Sequence, residues 1–361
     1  MRIAQVCPYA IDLPGGVQGQ VLGLAAAMRA QGHQVEVIAP CNNGSLDITC
    51  VGSAALVPAN GSVAPVALSP KAFLKTRAII SNSNFDVIHI HEPLVPVVSL
   101  AALTKVKPSH VSISTFHRSG ISSSYIQFGR VFKKLVSRVD LLTAVSLSAQ
   151  QTAKQVFEQE IELTFNAIDI NRFRGVLEGK PAKFSLLFIG RHEQRKGLGV
   201  LIDALAMIQD DIDVWIVGKG PQTEELKRKA KWDKRIKWLG AVTNKEVESY
   251  LLKSNLLCAP SLSGESFGVV LLEAMASGTA IVASDIEGYR QVCRNKREGI
   301  LFPPGDSVAL AQAISYLIAN PFELDRLVEA AKVRVQEFSM DKLASFYLET
   351  YIRIGKAKLI M

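Results

Sequence analysis

Residues 185–208 read SLLFIGRHEQRKGLGVLIDALAMI. Ser185 and four apolar residues, 186–189, form a strand-like run that closes at Gly190. A charged loop follows, and from Gly197 the apolar positions recur at helical spacing. Strand, loop and helix in that order make the repeating unit of a doubly wound sheet. The same alternation extends in both directions. Upstream, strands are predicted over residues 2–7, 34–39, 87–90, 111–116 and 141–145, with helices over 17–31 and 146–156. Downstream, strands are predicted over 214–217, 256–259, 280–283 and 299–302. The pattern breaks at Asn166-Ala167-Ile168-Asp169 and the polar, Gly/Pro-containing residues 174–183 before it restarts. The expected fold is α/β: two Rossmann-like domains, residues 1–166 and 167–339, facing each other across a cleft where ligands bind at the carboxyl ends of the strands.

A chain of 361 residues is long enough for two cores. Its net charge of +8 is concentrated. Residues 71–138 carry ten Lys/Arg against two acids, Asp86 and Glu92. Such a region implies an anionic partner. No nucleic-acid motif accompanies it, and few aromatics alternate with the basic residues, so a lipid surface or a phosphorylated substrate is favoured over nucleic acid. Residues 70–80 mix Lys71, Lys75 and Arg77 with Phe73, Leu74 and Ile79, a pattern suited to lying on an anionic bilayer. A second amphipathic stretch, 125–139, sets Arg130, Lys133, Lys134 and Arg138 opposite an apolar stripe. No apolar run approaches the roughly 20 residues of a membrane span, so membrane contact is expected to be peripheral. The five cysteines are scattered, without CxxC or Cys/His spacing. Neither a disulfide framework nor a zinc site is expected, and a reducing cytosol is the simplest home.

The chemistry gathers in four places. Residues 264–278, GESFGVVLLEAMASG, bring Glu265 into a small-residue turn and Glu273 eight positions later. Ser266 is placed to cap the new helix, and Gly268 permits close backbone approach. A helix start suits a phosphate, and the two carboxylates suit sugar hydroxyls. The expected ligand is a sugar joined to a diphosphate. Arg191 and Lys196, in the loop quoted first, are suited to neutralising that diphosphate. Gly15 and Gly16 in Pro14-Gly15-Gly16-Val17-Gln18 open the first helix. His117 follows a strand and is placed to face ligand. His89 and His91 share a strand face, yet no further ligand spacing accompanies them, so core roles are expected and no metal is assigned.

These motifs carry a resemblance. The Glu-x7-Glu pair within GESFG and the Asn166–Asp169 boundary resemble the retaining GT-B glycosyltransferases of family 4. The N-terminal run through Tyr9, Asp12 and residues 14–18 resembles, within that family, the actinobacterial phosphatidylinositol α-mannosyltransferases. So do Asn60-Gly61-Ser62-Val63, His89-Ile90-His91-Glu92-Pro93 and Thr115-Phe116-His117. The resemblance implies GDP-mannose as donor, phosphatidylinositol in an anionic membrane as acceptor, and transfer to the inositol ring on the cytoplasmic face. It implies donor contacts at Gly16, Arg191, Lys196, Val242, Glu265, Phe267, Gly268 and Glu273, with His117 touching the mannose. Acceptor contacts are implied at Tyr9, Asp12, Gln18, Asn60 and Ser62, with Arg118 or Lys71 substituting for basic residues that relatives carry where this chain has Pro65, Ala67 and Ser122. A C-terminal helix over about 340–361 is implied to return to the first domain. No cofactor is required, and Mg2+ would aid an assay only by pairing with the diphosphate. Rival readings are another nucleotide sugar, a soluble acceptor, or a sugar-nucleotide epimerase on the same plan.

Overall fold

The computed structural model describes residues 1–42, 44, 47–59, 62–120, 123–173 and 181–360. The chain divides into two units, Met1–Ala167 with Met340–Met361, and Ile168–Ser339.

The first unit contains β1 (Arg2–Val6), α1 (Gly16–Ala30), β2 (Gln34–Ala39), β3 (Ile48–Cys50), β4 (Ala55–Ala59), β5 (Ser62–Val66), α2 (Pro70–Asn82), β6 (Val87–His91), α3 (Val98–Leu103), β7 (Val111–Phe116), α4 (Ser123–Val136), β8 (Leu141–Ala144), α5 (Leu147–Lys154) and β9 (Ile161–Leu163). Seven strands form a parallel sheet in the order β3-β2-β1-β6-β7-β8-β9. β1 is buried from Ile3 onward and β7 throughout, because helices cover both faces. The chain leaves β1 toward β2 on one side and returns to β6 on the other. The gap between the carboxyl ends of β1 and β6 is therefore the sheet's switch point. β4 and β5 form a separate antiparallel hairpin, with Val57 opposite Ala64.

The second unit contains β10 (Ser185–Ile189), α6 (Leu198–Leu205), β11 (Asp213–Val217), α7 (Thr223–Lys229), β12 (Ile236–Gly240), α8 (Asn244–Lys253), β13 (Leu256–Ala259), α9 (Val269–Ser277), β14 (Ala280–Ser284), α10 (Glu287–Arg290), β15 (Ile300–Phe302), α11 (Ser307–Ala319) and α12 (Pro321–Val335). Its six parallel strands run β12-β11-β10-β13-β14-β15, with the switch point between β10 and β13. Leu186, Phe188, Leu201, Ile216 and Val282 are among the fully buried residues of its core.

The remaining helix, α13 (Met340–Ile360), belongs to the first unit and packs on α1. Its Tyr351 hydroxyl lies 2.7 Å from His89 Nδ1, and His89 Nε2 lies 2.6 Å from Thr115 Oγ1. Tyr347 reaches Thr115 at 3.1 Å and Thr143 at 3.2 Å. Burial pushes the His89 imidazole down to about 3, so it is a neutral core residue. Tyr351→Phe leaves one buried ring nitrogen without its partner, and that costs about 1–3 kcal/mol. Urea unfolding followed by circular dichroism should show the loss, and an unchanged midpoint would contradict it.

Several boundaries differ from the sequence-based expectation for local reasons. Ala167 belongs with the first unit, because Gln20 Nε2 donates to its carbonyl and Gln20 Oε1 accepts from its N–H, each at 2.8 Å. Ser146 caps α5 from outside, accepting the Ala149 N–H at 3.1 Å. The helix after β10 is shorter than residues 197–208, since Gly197 is left-handed at φ 68° and follows a 3-10 turn, Gln194–Lys196. Cys41 and Cys50 form a disulfide with Cα atoms 5.2 Å apart, against the expectation of none. The β2–β3 pairing brings together two cysteines that are scattered in sequence, with Ala39 opposite Cys50.

Candidate active site

The second unit's switch point gathers the two loops singled out by sequence. The loop after β10 carries Arg191, Glu193, Arg195 and Lys196, and the loop after β13 carries Ser261, Gly264, Glu265 and Gly268. The Leu262 N–H donates to the Arg195 carbonyl at 2.7 Å, tying the loops together. Glu265 Oε1 accepts from Lys196 Nζ at 2.6 Å and from Arg195 at 3.3 Å, and Ser261 Oγ lies 3.4 Å away. Glu193 pairs with Arg195 at 3.0 Å and with Arg191 at 3.1 Å. Three cations and two carboxylates thus form one alternating network. Lys196 is its inner cation, whereas the Arg191 side chain is 46% exposed. Arg195 and Glu193 were not singled out from the sequence. The adjacency of Arg195 to Lys196 and Gly197 was the available signal.

Ser266 does not cap α9. The capping position is Gly268, left-handed at φ 87°, and no side chain caps the helix. A Cβ at Gly268 would lie 2.6 Å from Tyr289 Cδ1, and the Tyr289 hydroxyl is held at 2.9 Å by Ser261. The glycine therefore lets the backbone pass over a buried ring at the helix start. The Phe267 ring is buried and meets Phe338 edge-on at 5.7 Å, which leaves its backbone as the part able to meet ligand. Val242 is half-buried in the turn before α8, where Thr243 and Glu246 form a capping box.

Glu273 lies beside the Arg172–Glu248 ion pair, itself closed at 2.6 Å. Burial raises its carboxyl to about 7 from an ordinary 4.5; Arg172 opposes the shift and Glu248 adds to it. A carboxyl whose folded value exceeds its unfolded value contributes stability below the unfolded value and loses it as pH rises through the folded one. Glu273→Gln should therefore remove a decline in stability between about pH 4.5 and 7. The difference in urea midpoint should move in the variant's favour across that window. A pH-independent difference would overturn the assignment.

In the first unit, Gly15 is the extended N-cap of α1 and no side chain caps it. A Cβ built on Gly16 meets no atom within 4 Å, so ligand has open approach to that backbone. Gln18 is buried and donates from Nε2 to the Ala10 carbonyl at 3.3 Å. Asp12 Oδ2 accepts from the Asn42 N–H at 3.0 Å and from its side-chain amide at 2.9 Å. Asn60, Ser122 and the side chain of Ser62 lie outside the described residues.

His117 follows β7 and is buried. Its Nε2 lies 2.9 Å from His91 Nδ1, and His91 Nε2 lies 2.8 Å from Gln5 Oε1. The amide oxygen requires a proton on His91 Nε2, so His91 Nδ1 accepts from His117 Nε2. Burial pushes His117 down to about 4 and His91 lower than usual, so the chain is neutral. Glu92, to which the sequence assigned no role of its own within the run of residues 89–93, is buried at φ 48° and accepts the His117 and Arg118 N–H groups at 2.6 Å each. It fixes the backbone on which His117 and Arg118 stand. The Arg118 guanidinium sits 4.9 Å from the Tyr125 ring centre. On α2, Lys71 and Lys75 are exposed while Arg77 is half-buried against the Phe73 ring. Among the described residues, no helix is long and apolar enough to cross a membrane, and no group of three or more His, Cys, Asp or Glu is arranged to hold a metal ion.

Two doubly wound parallel-sheet units with ligand-facing loops at their switch points are the architecture of the GT-B glycosyltransferases. A sucrose-phosphate synthase of Thermosynechococcus elongatus superposes with a TM-score of 0.77 at 22% identity, covering 99% of each chain. A glycosyltransferase of Rickettsia africae does so at 0.77 and 21%, covering 98% of each. Residues 14–172 match the family described as Glycosyltransferase Family 4, and residues 183–320 match Glycosyl transferases group 1. The phosphatidyl-myo-inositol mannosyltransferase of Mycobacterium leprae is 36% identical, spanning 97% of this chain and 96% of its own. That of Mycolicibacterium smegmatis is 33% identical, spanning 99% and 95%. The chain belongs to the family 4 glycosyltransferases and is a transferase.

Proposed function

We propose that this chain transfers mannose from GDP-mannose to the inositol ring of phosphatidylinositol with retention, the first mannosylation of that lipid. The observation that carries the donor half is the Lys196–Glu265 pair beside the uncapped start of α9. A cation and a helix start suit a diphosphate, and a carboxylate suits sugar hydroxyls. The relatives named above support mannose and the inositol lipid. Glu273 is assigned to the nucleotide ribose and the turn at Val242 to the base. Gly16 and His117 are assigned to the diphosphate and the mannose. Tyr9, Asp12 and Arg118 are assigned to the inositol phosphate.

In this reading the bond from the sugar C1 to the diphosphate breaks, and a bond from C1 to an inositol oxygen forms on the same face. The hydroxyl proton passes to the departing phosphate. The protein contributes positioning and charge stabilisation through Lys196, Arg191, Arg195 and the helix start. No cofactor enters, and Mg2+ acts only as a partner of free diphosphate. The exposed Lys71 and Lys75 support peripheral docking on the inner face of the membrane, each basic residue adding about 1 kcal/mol near an anionic surface.

Incubating the protein with radiolabelled GDP-mannose and phosphatidylinositol vesicles should yield a labelled mannolipid. Transfer from a different nucleotide sugar alone, or to a soluble acceptor alone, would replace this reading with one of its rivals.

A further inference from the structure

The first unit contains a cavity of about 350 Å³ beneath the β4–β5 hairpin. That volume lies within the range of pockets that bury small ligands. Val57 and Ala64 of the hairpin, Leu94 after β6 and Phe128 of α4 supply apolar walls. The polar residues that line it are Tyr9, Glu92, Arg118 and Tyr125, and the Arg118 N–H donates to Glu92 Oε1 at 2.6 Å. Leu68 also lines the cavity, is 55% exposed, and stands just ahead of the N-cap of α2. On α2, Lys71, Lys75 and the 61% exposed Leu74 form a surface suited to an anionic bilayer.

We propose that this cavity holds one acyl chain of the phospholipid acceptor. The inference rests on the acceptor assigned above and adds to it a lipid subsite. The cavity joins two features that neither a soluble sugar nor a peptide needs together: an apolar chamber walled on several sides, and a guanidinium suited to a phosphodiester. Its exposed Leu68 leads toward the basic helix that meets the membrane. A chain drawn off the bilayer past Leu68 would lie against Val57, Ala64 and Phe128, with its phosphate near Arg118.

The test measures KM for mannosyl transfer by the full chain, without vesicles, to glycerophosphoinositol and to lysophosphatidylinositols of increasing chain length. Each lipid is held below its critical micelle concentration. Every methylene accepted should lower KM about fourfold until the cavity is filled, after which KM levels off. Ala64→Phe, and independently Val57→Phe, should level off at shorter chains. A KM indifferent to chain length, or one levelling point shared by the unmodified protein and both variants, overturns the assignment. The length series needs no variant, so a misfolded variant does not remove the test. If GDP-mannose donates to none of these acceptors and to no phosphatidylinositol vesicle either, the functional reading itself falls, and the subsite with it.

Discussion

Lys196→Ala is expected to lower kcat roughly 10²–10³-fold, the usual loss when one preorganised charge-stabilising donor is removed. Lys196 Nζ is 2.6 Å from Glu265 Oε1, and the two side chains are 19% and 13% exposed. Little water is available to replace the ammonium group. Glu265→Gln should fall in the same range, because the amide keeps an acceptor for a sugar hydroxyl but loses the charge that orients Lys196. The two effects should not add. Residues within one ion-pair network typically couple by about 0.5–3 kcal/mol, so the double variant should be less impaired than the product of the singles. Arg191→Ala should cost less than Lys196→Ala, since Arg191 is more exposed and pairs with Glu193 instead of Glu265. Steady-state kinetics on purified protein decide these points. Turnover of Lys196→Ala within about threefold of the unmodified protein would remove Lys196 from the charge-stabilising role.

Gly197→Ala is expected to be strongly damaging to the second unit. Gly197 sits at φ 68°, and a Cβ there would lie 1.9 Å from the Pro260 carbonyl oxygen and 2.8 Å from its carbon. Both strain and overlap are backbone effects, so no side-chain rotation relieves them. A left-handed alanine costs about 1–2 kcal/mol alone. With the overlap added, a loss of about 3–5 kcal/mol is expected. Because Gly197 follows Lys196 directly, any relief by shifting the chain also moves the ammonium group away from Glu265. Trp215, Trp232 and Trp238 all lie within the second unit, so intrinsic fluorescence during urea unfolding reports on that unit. Gly199→Ala is the matched control. Its Cβ would find only ordinary contacts, the nearest at 3.7 Å from Leu226, and it should be neutral or slightly stabilising. Equal midpoints for the two variants would contradict the steric argument.

The two changes act on one loop through different physics, and this bears on how the loop could be read. Arg191 and Lys196 were legible because charge at a strand's carboxyl end is informative by position alone. Which of the loop's cations meet Glu265 was not legible, because Arg195 and Lys196 lie within a 3-10 turn, beyond Arg191, whose direction depends on Gly197 fitting over Pro260. Ser266 looked like a helix cap by residue type. Packing of Gly268 against Tyr289 moved the cap two positions on.

Gln18 and Glu92 show the same limit in the first unit. The resemblance marks Gln18 as an acceptor contact, and only the folded chain shows its amide bonded to the Ala10 carbonyl. Glu92 stands in the run of residues 89–93 that carries the resemblance, but its structural role comes from the His117 and Arg118 N–H groups, which the end of β7 delivers from twenty-five and twenty-six residues away. The disulfide between Cys41 and Cys50 likewise depends on which strands lie side by side.

What the amino-acid order determined by itself was the alternation of strand and helix, the break between the two units and the position of the charged loops at strand carboxyl ends. Those follow from periodicity and from glycine, which act over a few residues. The tertiary structure alone decided which charges pair, which polar side chains turn inward, and where an apolar chamber opens beneath the hairpin. Those outcomes depend on distances between segments far apart in the chain, which no local pattern records.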